Sequence, residues 1–325
     1  MDARDDRGWT AMHFAAWNGN VSVVELLTDP TYITVQNGAT IDDLYTLPLI
    51  DANCSLRSPV EAEDSLGFTP MHLAAWNGHL GVIQFLINKA NLDAKSKDGQ
   101  TPLHVAAQWG HLNVVKALAK QKANMFAKDH QNGLAIHYAA RKGHQKLVEY
   151  FITENPQLLT EKGMASQTVL HEAATLGHLQ LIRLLVQKYA DLKSSLESNL
   201  LTMASDDGET ALHAAVNHGH LAVVEYLVSQ NIPIDAKDKD GQTANDLARE
   251  LGNREIVEFL RKSSGLREES AALPSKVEEI KAAKEVAEIA QPGPIPALPT
   301  PGGHHLHVSV PRPKRRGYRA AVGRH

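Results

Sequence analysis

Residues 67–87 read GFTPMHLAAWNGHLGVIQFLI, and this stretch decides the fold. Thr69 is placed to cap a helix, and Pro70 falls in the first turn, where a helix tolerates proline. Ala74 and Ala75 are small enough for neighbouring helices to approach closely. Gly78 closes the helix, where a residue at ease with positive φ is needed. Leu80, Val82, Ile83 and Leu86 then recur at helical spacing and give a second helix one apolar face. One pair of such short helices cannot close a core alone, whereas stacked pairs bury a continuous one.

The same pattern recurs along the chain. His13, His72, His104, His137, His171, His213 and Asp246 follow one another at steps of 59, 32, 33, 34, 42 and 33 residues. Two residues after each stands an alanine, from Ala15 to Ala248, and six after each a glycine, from Gly19 to Gly252. The expected fold class is therefore all-α: a solenoid of stacked helix–turn–helix units joined by finger loops.

TAMHFAA, TPMHLAA, TPLHVAA, LAIHYAA, TVLHEAA and TALHAAV resemble the ankyrin repeat, whose T-P-L-H-x-A signature and period they share. The resemblance covers roughly residues 4–262 in about seven repeats. The seventh, GQTANDLARELGNREIVEFLRK, looks like the family's C-terminal cap, with Asp246 in place of His and a polar outer surface. In the fourth repeat Leu134-Ala135 replaces Thr-Pro, with Asn132-Gly133 in the turn, so a weaker helix cap is expected there. The long step leaves an insertion near residues 28–64, read as a finger insertion with a degenerate repeat as the alternative. A second insertion falls near 193–201. Residues 274–290 suit a short helix, with Pro274 before it and Ser275 and Glu278 in a capping-box pattern; it either docks on the last repeat or stands in solvent. Residues 291–325 read as a disordered Pro/Gly-rich linker and basic tail.

Several functional classes are excluded. The lone Cys54 leaves no internal disulfide framework or CxxC metal site and fits a reducing compartment. MDARDDRGW is no signal peptide, and no run of about 18 apolar residues offers a membrane span. Residues 304–325 hold six Lys/Arg and no Asp/Glu; against a net charge of −4, the rest of the chain carries −10. So acidic a body is a poor platform for phosphate backbones, and direct nucleic-acid binding by the repeats is not expected. The seventeen histidines invite a metal reading. Those of the motif, however, recur about one repeat apart and cannot converge on one ion, and the resemblance implies that they hydrogen-bond within and between turns. His304, His305 and His307 lack a scaffold. No catalytic motif is present; neither an enzyme nor a cofactor is expected.

The resemblance implies protein binding on a concave face, at outward positions four before and four or five after each motif histidine. All four tryptophans fall there, which marks an interface. The candidate contact residues are Trp9, Trp17, Asn18, Phe68, Trp76, Asn77, Gln108, Trp109, Arg141 and Lys142. The alternative is an internal seal, with the insertion folded over the tryptophans. The expected protein is an intracellular monomer binding a protein partner as a scaffold or adaptor. Two variants stay open: a secreted effector of an intracellular bacterium acting in host cytosol, and a nuclear regulator whose tail, with Lys314, Arg315 and Arg316, resembles an import signal.

Overall fold

The computed structural model describes residues 3–28, 59–196 and 198–264. Residues 29–58 of the insertion expected near 28–64, the expected helix at 274–290 and the tail lie outside the described residues. The chain divides into two units, residues 1–267 and 268–325, of which the first carries the array.

Among the described residues fourteen α-helices run in pairs, with no strand between them. The first helices are α1 (Ala11–Trp17), α3 (Pro70–Asn77), α5 (Pro102–Gln108), α7 (Ala135–Arg141), α9 (Val169–Thr175), α11 (Ala211–Asn217) and α13 (Ala244–Glu250). Their partners are α2 (Val21–Thr28), α4 (Leu80–Leu86), α6 (Leu112–Lys120), α8 (Gln145–Glu154), α10 (Leu179–Leu192), α12 (Leu221–Ser229) and α14 (Arg254–Ser263). Each first helix packs on the next, α1 directly on α3 included. The core runs through the stack as one cluster from Trp9 to Leu260, with the paired alanines buried between first helices.

A histidine code joins the units. In α3 the backbone N–H of Thr69 donates to His72 Nδ1 at 3.1 Å. That nitrogen therefore carries no proton, and Nε2–H donates to the Gln100 carbonyl of the next repeat at 3.0 Å. His13, His104, His171 and His213 make the same forward link to Phe68, Gly133, Glu209 and Gln242. A second set points backward: His79, His111, His144, His178 and His220 donate Nε2–H to the carbonyls of Trp17, Trp76, Gln108, Arg141 and Thr175. This second set explains the glycines after α1, α3, α5, α7 and α9. Gly78 sits at φ +74°, and a Cβ there would lie 2.4 Å from His111 Nδ1. The turn needs both the left-handed backbone and the room.

The array ends where the code ends. Asp246 accepts from the Thr243 N–H and hydroxyl, as a motif histidine would, at 3.1 and 2.7 Å. A carboxylate has no proton to pass forward, so α13 is capped without reaching for a further repeat. The expected weakness in repeat four is present: Leu134 brings no hydroxyl, and its N–H stretches to 3.4 Å from His137 Nδ1. Asn132, at φ 63°, takes the left-handed finger position that Gly67 and Gly99 hold in their repeats.

Candidate protein-interaction surface

The finger turns and exposed sides of the first helices form one face, and its first three repeats carry a tryptophan ladder. Trp9 and Trp17 lie 5.4 Å apart between ring centroids, Trp17 and Trp76 6.2 Å, Trp76 and Trp109 4.9 Å. The rings meet at tilted angles, so successive repeats present a continuous aromatic row. Stacking produces the row: Trp17 and Trp76 hold the same place in the last turns of α1 and α3, Trp109 follows α5 by one residue, and Trp9 leans in from the finger before α1.

Exposure along the ladder is graded, which corrects one expectation. Trp109 is 40% exposed and Trp17 and Trp76 are half-buried, but Trp9 and Phe68 retain only 9% and 8% of their surface. The physical reason is the finger. Trp9 Nε1–H donates to Asp64 Oδ2 of the next finger at 3.0 Å, and the Arg7 guanidinium lies 4.1 Å over its ring. Phe68 packs edge-on against Trp76 at 6.0 Å. Positions four before the motif histidine thus support the row from beneath, while positions four and five after it reach the surface.

The polar candidates divide in the same way. Asn18 and Lys142 are exposed and Gln108 is half-buried. Asn77 is committed to the scaffold: its Nδ2 donates to the Trp17 carbonyl at 2.8 Å. Arg141 is exposed, and its guanidinium reaches to 4.0 Å from the buried Glu172 of the next repeat. Lys314, Arg315 and Arg316 lie outside the described residues. Two exposed leucines, Leu176 and Leu251, hold the position of Trp109 in repeats five and seven, with Lys142 there in the fourth and His218 in the sixth. Sequence reasoning missed the Asp64–Trp9 bond, because it joins residues on successive repeats across the insertion.

Burial controls the electrostatics of the frame. His72, His137 and His171 are pushed down to about 4, because burial disfavours the charged imidazolium. His13 and His104 shift the same way for the same reason. Among the described residues no three His, Cys, Asp or Glu side chains gather as a metal site, and no helix is long and apolar enough to cross a membrane.

Stacked helical pairs with a row of outward side chains define the class: a repeat scaffold that presents a preformed surface. Models described as ankyrin repeats match residues 1–28, 32–129, 124–196 and 192–268, and the chain belongs to the ankyrin repeat family, a family of protein-interaction scaffolds. Among solved structures, the ankyrin repeat domain of Bcl-3, titled a unique member of the IkappaB protein family, is similar. It aligns at a TM-score of 0.57 and 22% identity, over 79% of this chain and 100% of that one. At that identity the likeness is one of fold.

Proposed function

We propose that the chain is a non-enzymatic binding module that grips a partner protein through the face of its first helices and fingers. The observation that carries this is the tryptophan row. Trp109 stands exposed against Trp76, flanked by Trp17, Asn18 and Gln108, with Arg141 and Lys142 beyond it. Indoles held by stacked neighbours lose little entropy on docking, and an exposed aromatic cluster is costly to keep in water without use. Trp9 and Phe68 serve by holding the row in place.

The test is a pull-down with Trp17→Ala/Trp76→Ala/Trp109→Ala beside wild type, after circular dichroism has established that the variant folds. Selective loss of one captured protein supports the face as the binding site. Capture of the same proteins by both chains rejects it. The nuclear reading rests on Lys314, Arg315 and Arg316 alone, and deletion of residues 304–325 with imaging of the chain in cells tests it separately.

A further inference from the structure

The face that carries the tryptophans changes character at repeat four. The places four and five after the motif histidine read Trp17-Asn18, Trp76-Asn77 and Gln108-Trp109 in the first three repeats, then Arg141-Lys142 in the fourth. Both of these cations are exposed. One place after the motif histidine, Leu73, Val105, Ala214 and Leu247 are buried in their repeats. The fifth repeat has Glu172 there, and its side chain keeps only 6% of its surface. A carboxylate in an apolar place is costly unless a cation answers it. Arg141 does so from the neighbouring helix α7, its Nε 4.0 Å from Glu172 Oε2. The guanidinium is held along that edge, and among the described residues its two terminal nitrogens make no hydrogen bond. Farther along, the sign reverses: Asp206 and Asp207 are exposed in the finger of repeat six, as is Glu250 at the end of α13.

Resting on the reading that this face binds a protein, we infer that the partner presents an extended segment with two anchors. One is an apolar side chain for the tryptophan row. The other is an Asp or Glu side chain, about three residues away, for Arg141 and Lys142. The spacing follows from the stack: neighbouring first helices lie about 10 Å apart, and an extended chain advances about 3.3 Å per residue. A guanidinium fixed along one edge keeps its other edge for a bidentate carboxylate. Because Glu172 pins it beforehand, Arg141 loses less freedom on docking; Glu172 is thus a positioning residue. A polyanion fits badly, because beyond the two cations Asp206, Asp207 and Glu250 make the face acidic. The partner's negative charge is therefore confined to one place, unlike that of a nucleic acid or a long acidic run.

The experiment selects short random displayed peptides on the purified full chain and measures the enriched sequences, synthesised with amidated C-termini, by isothermal titration. The expected sequences share an apolar residue and an Asp or Glu about three residues apart. Affinity is expected to fall at least about tenfold when that acid becomes its amide. Arg141→Gln/Glu172→Gln removes both charges together, so no carboxylate is left buried beside a neutral side chain, and the same fall is expected. Lys142→Glu changes an exposed side chain and does not disturb that pair; it is expected to weaken the acidic peptide and spare its amide form. Enrichment of no peptide overturns the inference, as do peptides that bind equally well as acid and amide. If such peptides are nevertheless lost on Trp17→Ala/Trp76→Ala/Trp109→Ala, the acidic anchor alone is wrong and the face remains the binding site. Peptides held equally by that triple variant overturn the face reading as well.

Discussion

Histidine suits this array because an imidazole offers an acceptor and a donor on opposite edges of one rigid ring. His72 takes a proton donor from its own helix cap at Nδ1 and gives Nε2–H to the next repeat. Protonation of Nδ1 would set two donors against each other at the cap. The pH dependence has a definite sign. The unfolded chain takes up protons near pH 6.5, while folded His72, His137 and His171 resist until about 4. The unfolded state therefore binds more protons in that window, and stability falls as pH falls through it. Each such histidine contributes a slope of up to about 1.4 kcal/mol per pH unit. Urea midpoints are expected to drop steadily from pH 7 to pH 5; a flat profile would mean that these imidazoles charge freely in the fold.

At the scale of the helix, the threonine before each first helix orients the ring. With Nε2 protonated, the Thr101 hydroxyl must donate to His104 Nδ1, at 2.8 Å, and it does so fully buried. Thr101→Val keeps the shape and removes this bond, and a loss of about 1 kcal/mol in the urea-derived stability is expected. Helix α7 shows the same loss already written into the sequence, since Leu134 has no hydroxyl to offer. Amides in the first turn of α7 are expected to exchange faster than those of α5 in native-state hydrogen exchange.

Across the whole molecule, the fingers form a ladder with one rung missing. Ser65, Lys97, His130, Asp206 and Lys239 each donate a backbone N–H to the preceding finger, at Arg7, Leu66, Asp98, Ala165 and Asp207. The matching bond between the fourth and fifth fingers, Met164 to Gln131, is absent among the described residues. There His137 Nε2 turns to the Glu161 carbonyl at 3.2 Å instead, and Ala165 and Ser166 both adopt positive φ. A repeat array is held by nearest-neighbour interfaces, so the junction between repeats four and five is its weak plane. Hydrogen exchange at rising urea is expected to split the array there into two blocks of unequal stability; uniform opening of all repeats would contradict this.

The repeat, its period, the weak fourth cap and the polar last unit were all legible in the sequence. Each depends on residues a few positions apart: Thr to His, His to Gly, one apolar stripe per helix. The repeat pattern also assigned every tryptophan to an outward position, four before or four or five after a motif histidine. It could not tell which of them water reaches. That depends on what a neighbouring repeat lays over each ring, and Asp64 and Arg7 close over Trp9 while Trp109 stays open. The same limit hid the 42% exposure of Val23 on α2. Val23 and Val82 are one residue type in one register, and only stacking decides that the second is buried and the first is not. Local pattern determines the unit; exposure belongs to the assembly of units, because burial is a property of neighbours.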